Sequence, residues 1–342
     1  MSLFKKKIPI VYTIVLGAIC SIASFIFVRI CSAPAVSAVE NASKVSTANC
    51  NYTVDRLNGY KYVKPLLDQA PECESQRLSG LKQEIVDYIN AQQQSGVISS
   101  ASVYIKEFSS DDWVYINPEN KYTPGSLLKV PVMMCVLKMA ETNPSFLEKK
   151  LIYDPKVVKP MTQTYNSPGI TPGKSYSVKE LLASMIANSD NAAAMMLSAN
   201  IDINIFRKMF VDLKLPVPDI TDSKKFLEYT ISAHDFSAFL ADLYNGSYLT
   251  ITASEYATSL LAQSTFRDGL ARDLPPGVKL AHKFGEAGMS DGHQLHESGI
   301  IYIGSTAYLL TVMTKGNDIK KQADVLANVS RLVYDKLHGE AL

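Results

Sequence analysis

The sequence predicts an α/β (α+β) fold in which a single sheet is shared by both ends of the folded domain, with a helical subdomain between them. Three observations predict it. Strand-like apolar stretches lie at 97–108 and 113–116, and again at 279–284, 294–303 and 307–313. Segments with helical spacing fill the interval between the two groups, and one more, 319–337, follows the last strand. The composition is that of a folded chain: 342 residues, 47% hydrophobic, with 34 Lys+Arg against 33 Asp+Glu. That balance excludes a disordered tail protein and leaves no basic footprint for nucleic acid. Five cysteines are too few for a disulfide-dense scaffold.

The first element is a membrane segment. Residues 8–28 carry no charge, and 21 helical residues span roughly 30 Å, one hydrocarbon core. Lys5, Lys6 and Lys7 precede the run and only Arg29 follows it before Lys44, so the positive-inside rule exports the remainder. Residues 1–30 are therefore expected to be a single-pass anchor. Cleavage as a signal peptide in the small-residue stretch 33–38 is the alternative. Residues 31–77 read as an exported stalk and 78–342 as the folded domain, expected to be a monomer. In an exported chain Cys50 and Cys73 either form a persistent disulfide or remain two thiols. Cys135, in an apolar run, reads as a core thiol.

Within the domain, Leu81, Ile85, Tyr88 and Ile89 recur at helical spacing and Gly96 closes the segment. Segments 97–108 and 113–116 read as a hairpin. Segment 126–142 is apolar nearly all round, the mark of a helix buried on every side, although Pro131 must loosen its first turns. Segments 178–199, 234–244 and 254–262 read as further helices. No repeat, Gly-rich phosphate loop or CxxC pair is present.

Three short motifs carry chemistry. In Ser126-Leu127-Leu128-Lys129 the i and i+3 residues share a helical face, so a lysine of depressed pKa can take the serine proton. In Ser189-Asp190-Asn191, Ser189 can relay a proton and Asn191 can hold an amide. In Lys283-Phe284-Gly285, Lys283 can attract a carboxylate and Gly285 permits close backbone approach. Each alone is weak; Ser2-Leu3-Phe4-Lys5 also fits the first pattern. Their order and their spacings of 63 and 94 positions, on a buried helix, a helix junction and a late strand, raise their weight.

With these motifs the sequence resembles the penicillin-recognising serine hydrolases, and among them the class A β-lactamases, from about residue 80 to 336. The resemblance implies a β-lactamase/transpeptidase-like fold with an antiparallel sheet. It implies Ser126 as the acylated nucleophile, Lys129 as its base, Ser189 as proton relay and Asn191 as a contact to the substrate amide. It further implies that Lys283, Phe284 and Gly285 flank the substrate, and that the amides of Ser126 and Glu286 form the oxyanion hole. Substrates would be β-lactams or D-alanyl peptides, with no cofactor.

Two features depart from the class A pattern. No Glu-x-x-Leu-Asn stretch lies between Asn191 and Lys283; Glu228 is the nearest glutamate, and Asp219 or Asp222 are the remaining carboxylates considered. Phe284 replaces a hydroxyl residue that would bind the substrate carboxylate. His293 and His296 are not expected to hold a metal, because i and i+3 on a strand point to opposite faces. Either histidine is instead a candidate to replace the carboxylate-binding arginine of relatives.

Overall fold

The computed structural model describes residues 50–160, 162–165, 168–219, 228–289 and 292–341; the expected anchor, 8–28, lies outside them. From Cys50 onward the described residues form one unit. Its first element is unexpected. Strands β1 (Tyr52–Arg56) and β2 (Leu66–Pro71) pair antiparallel within the stretch read as stalk. Cys50 and Cys73 are disulfide-bonded, with Cα atoms 5.9 Å apart. Leu57 and Leu67 are buried in the main core, Lys106 Nζ lies 2.9 Å from Asp68 Oδ1, and Trp113 Nε1 donates to the Pro71 carbonyl at 2.8 Å. The stalk reading thus gives way at Cys50 to a hairpin packed on the domain.

Helix α1 (Ser79–Gln94) buries Leu81, Ile85 and Ile89 and ends before Gly96. Strands β3 (Ser100–Glu107) and β4 (Trp113–Ile116) form the expected hairpin. After a short antiparallel pair, β5 (Lys150–Ile152) and β6 (Ser175–Ser177), the late strands β7 (Lys279–Met289), β8 (Gly292–Ile303) and β9 (Thr306–Gly316) complete a sheet of order β4-β3-β9-β8-β7. All its pairings are antiparallel, and β3 against β9 is where the two chain ends meet. Side chains alternate along β9. Tyr308, Leu310 and Val312 join the core under α1 and the last helix, Ile319–Ala341; Leu309 and Met313 join the core under the helical block. Strand β7 is the free edge on the side where the site lies.

The apolar segment beginning at Ser126 is two elements. Gly125–Leu128 is a 3-10 turn, and helix α2 runs from Lys129 to Thr142 with Val130, Met133, Met134, Val136 and Leu137 all buried. Starting the α-helix at Lys129 places Pro131 third in it, where no backbone N–H is needed for the helical ladder, so the proline costs little. Segment 178–199 also divides. Helix α3 (Val178–Ala187) opens on a capping box of Ser177 and Glu180, and helix α4 (Asn191–Ser198) opens on Asp190. Between them Ser189 stands at φ 54°, in the left-handed region that ends a helix and that serine seldom adopts. Further helices, α5 (Ile203–Asp212), α6 (Ala233–Asn245) and α7 (Ile251–Leu261), close the helical side.

Candidate active site

Ser126 owes its position to what flanks its turn. Tyr122 exchanges two backbone hydrogen bonds with Ile231, at 3.0 and 2.9 Å, and Thr123 N donates to Gln294 Oε1 at 2.9 Å. Gly125 adopts φ +54°, and a Cβ there would strike the backbone of Glu286. A Cβ on Gly285 would likewise strike the Pro124 carbonyl and Leu127. Two glycines on opposite sides therefore let the edge strand lie directly against the turn that bears Ser126. The backbone of Glu286 is thereby brought against the residue preceding Ser126.

Lys129, 6% exposed, follows on the first turn of α2. Its Nζ donates to the Ser189 carbonyl at 2.5 Å, to Ser189 Oγ at 3.1 Å and to Asn191 Oδ1 at 2.7 Å. Three acceptors match the three hydrogens of an ammonium. Burial nevertheless pushes its pKa down to about 7, against the opposing charge of Asp190. The contact also fixes Asn191 with its side-chain oxygen toward Lys129.

Lys283 reaches the same hydroxyl from β7. Its Nζ lies 2.9 Å from Ser189 Oγ and 2.9 Å from the Phe284 carbonyl. It is fully buried, and burial together with the charge of Lys129 holds its pKa well below the ordinary lysine value. The Asp190 carboxylate acts on Lys129 through its charge, and its hydrogen bonds go elsewhere. It accepts from Ala192 N at 2.8 Å, Ala193 N at 3.2 Å, Ile170 N at 2.7 Å and Ser184 Oγ at 2.8 Å, and so braces the loop. A cavity of about 240 Å³ adjoins it, lined in part by Asn191, Gln163, Thr162 and Ile170.

Three sequence expectations change here. Phe284 is only 4% exposed, its ring stacked on Phe266 at 4.3 Å and met edge-on by Tyr165 at 6.1 Å. His296 does not stand in for an arginine. It is fully buried, its Nε2 bonds the Thr123 carbonyl at 3.1 Å and its Nδ1 accepts from Thr314 N at 3.2 Å. Burial pushes its pKa down to about 4, so the ring is neutral and both nitrogens are used. Glu286, chosen for its amide alone, also uses its carboxylate: Thr164 N donates to it at 2.8 Å, Thr164 Oγ1 at 2.6 Å and Tyr165 N at 3.3 Å. No sequence pattern near 160–165 pointed to Thr164 or Tyr165. Of the carboxylates considered for deacylation, Asp222 lies outside the described residues.

Ser126 on a tight turn, Lys129 one turn on, Ser189 at a helix break and Lys283 on an edge strand define a β-lactamase/transpeptidase-like protein. The chain belongs to the beta-lactamase enzyme family, whose match spans residues 80–337. No curated protein matches the sequence. Among solved structures it is similar to PBP-A, at 20% identity and TM-score 0.66 over 79% of this chain and 99% of that one. It is also similar to the TLA-3 extended-spectrum β-lactamase, at 16% identity and TM-score 0.67 over 76% and 99% of the two chains. A class A β-lactamase from Mycobacterium abscessus shares 17% identity and a TM-score of 0.63 over 74% and 99%.

Proposed function

We propose that this protein is a serine hydrolase that forms an acyl-enzyme at Ser126, with β-lactams or D-alanyl peptides as its substrate class. The observation that carries the reading is the Ser189 hydroxyl held by both Lys129 Nζ and Lys283 Nζ, beside the turn that bears Ser126. Neutral Lys129 takes the Ser126 proton as Oγ bonds to the substrate carbonyl carbon. Negative charge develops on the carbonyl oxygen, where the Ser126 and Glu286 amides stabilise it by about 3 kcal/mol per donor. Ser189 passes its proton to the leaving nitrogen as the C–N bond breaks, and recovers one from Lys129. Water then releases the acyl group. With no Glu-x-x-Leu-Asn stretch before Lys283, acylation outruns deacylation.

The uncharged run 8–28 between Lys7 and Arg29 supports a single-pass anchor with the domain on the extracytoplasmic side, and the Cys50–Cys73 disulfide fits such an oxidising location. Mass spectrometry of the intact chain mixed with labelled penicillin tests the chemistry. The expected result is an adduct on Ser126 that persists after excess drug is removed and is absent from Ser126→Ala. A chain that stays unmodified while nothing is consumed overturns the reading.

A further inference from the structure

The hairpin of β1 and β2 carries a concentrated exposed patch. Tyr52, Val54, Tyr60, Tyr62, Val63 and Leu66 are all exposed, Tyr62 at 85%. No other stretch as long as 52–66 among the described residues holds more than two exposed large apolar side chains. Clustering of this kind marks an interaction face, where single exposed apolar residues do not. The strands sort their side chains. Tyr52, Val54 and Arg56 alternate along β1, with Leu66 opposite Arg56, and so share one face. Asp55 and Asp68, opposite one another on the other face, pair with Lys214 and Lys106 of the domain.

With both strand acids paired to the domain, the charge left at the turn is positive. From Arg56 to Leu67 the sequence holds three cations and no carboxylate. Among the described residues no ion pair includes Arg56, Lys61 or Lys64. Arg56 Nη1 donates instead to the Lys64 carbonyl at 2.8 Å, and Lys61 Nζ stands 4.9 Å from the centre of the Tyr62 ring. Tyrosine, with an apolar body and a polar tip, and lysine, with an apolar stem below its charge, both favour the boundary between water and lipid. Apolar area and positive charge act together on an anionic lipid surface.

The place of the hairpin along the chain favours a bilayer over a protein partner. The uncharged run ends at residue 28, and Cys50, two positions before β1, is bonded to Cys73 at the base of the hairpin. Only residues 29–49 intervene. A chain of that length reaches at most about 75 Å fully extended and spans about 25 Å as a coil. Of the described elements, the hairpin is therefore tied most closely to the anchor. A contact too weak to hold a free protein is populated when a tether keeps it near its surface.

We propose that the hairpin is a second, reversible membrane contact, in which Tyr60, Tyr62 and Val63 enter the headgroup region of an anionic phospholipid surface and Arg56, Lys61 and Lys64 meet its phosphates. The inference rests on the anchor proposed above and adds an orientation to it. The base of the hairpin bonds to Lys106 on β3 and Trp113 on β4, at the end of the sheet opposite β7. Contact there leaves the β7 edge, beside the turn that bears Ser126, to substrate.

The test uses the full-length protein reconstituted in phosphatidylcholine vesicles with about one-third phosphatidylglycerol, and in phosphatidylcholine alone. Trp113 is the one tryptophan, so the wild type supplies the background for Tyr62→Trp. Quenching of the added indole is read with lipids brominated on the upper acyl chain and with aqueous acrylamide. In the anionic vesicles bromolipid is expected to quench it about twofold or more while acrylamide quenches it little, with a weaker bromolipid effect in phosphatidylcholine. Adding Lys61→Glu and Lys64→Glu is expected to abolish most of the bromolipid quenching. Unchanged quenching in that variant removes the headgroup attraction and overturns the proposal as stated. Shielding from both quenchers that grows with the protein-to-lipid ratio means that a second copy covers the patch, and overturns it as well. Alkaline carbonate extraction separates the two readings. Wild type released from the vesicles overturns the anchor, and this contact with it; retained protein whose indole meets acrylamide and not bromolipid overturns this contact alone. Penicillin labelling of Ser126 at the wild-type rate verifies the fold of Tyr62→Trp, and Tyr60→Trp replaces it where labelling is lost.

Discussion

Lys129 and Lys283 donate to one oxygen, Ser189 Oγ, at 3.1 and 2.9 Å. Two buried amines around one acceptor are poorly able to carry charge together, because each proton raises the cost of the next. Burial takes Lys129 to about 7 and, with the Lys129 charge, holds Lys283 well below its usual value. The fold thereby makes both side chains easier to deprotonate than ordinary lysines, Lys129 near pH 7. Ser189 sits between them because the chain breaks helix there at φ 54°.

Acylation should therefore depend on pH in a defined sense. Lys129 acts as base only when unprotonated, so the rate should rise with pH along a limb centred near 7 and fall about tenfold per unit below it. Rates of Ser126 labelling between pH 5 and 9 measure this. Lys129→Arg, which keeps the charge but cannot deprotonate in this range, should lose 100-fold or more at every pH. A flat profile would remove Lys129 as the base.

Gly285→Ala should impair chemistry more than binding. The added methyl meets the Pro124 carbonyl and Leu127, and backbone on one side cannot yield as a side-chain tip can. The edge strand must then move off the nucleophile turn, taking the Glu286 amide with it. A fall of 10-fold or more in the acylation rate, with a smaller change in apparent affinity for the donor, is the expected outcome in stopped-flow labelling. A substitution that changes affinity alone would place the oxyanion donors elsewhere.

The sheet and most helices were legible because their patterns are local. Strand-like apolar stretches at 294–303 and 307–313 became β8 and β9, and the spacing of Leu81, Ile85 and Ile89 became α1. Ser126, Lys129, Ser189, Asn191 and Lys283 were legible from motif order, and all but Ser126 are joined by the hydrogen bonds around Ser189. What escaped depends on distant partners. The hairpin at 52–71 has polar, short strands and is held by a disulfide and by Lys106 and Trp113, which lie far along the chain. The bond from Thr164 to Glu286 spans 122 positions between two unremarkable residues. The neutrality of His296 follows from burial, which sequence spacing does not reveal.

That hairpin yields a stability prediction. The Cys50–Cys73 bridge closes a loop of 23 positions, which in the chain-entropy picture contributes about 3 kcal/mol. The Cys50→Ala, Cys73→Ala double variant should lower the unfolding free energy by roughly 2–4 kcal/mol in urea melts. The hairpin supplies none of the groups bonded around Ser189, so acyl labelling below the transition should be retained. Equal urea midpoints for the oxidised wild type and the double variant would mean the hairpin is held by its other contacts alone.

Asp242, on α6, offers a prediction whose sign depends on pH. The residue is 5% exposed; Ser247 Oγ donates to its carboxylate at 2.5 Å, and Asp68, Asp55 and Lys106 are the charges that act on it. Burial pushes its pKa up to about 7. Between the unfolded value near 4 and that raised value, the folded protein keeps a proton the unfolded chain has lost, so stability falls as pH rises through this window and levels off above it. Asp242→Asn keeps an oxygen for Ser247 and carries no charge. It should stabilise the protein by on the order of 2–4 kcal/mol at pH 8 and by clearly less at pH 5, since each unit of the raised pKa is worth about 1.4 kcal/mol. Denaturant melts of both proteins at the two pH values measure the difference, in which other titrations largely cancel. An equal gain at both would mean that packing, and not the buried charge, sets the effect; a loss at pH 8 would mean the carboxylate is held ionised by Lys106.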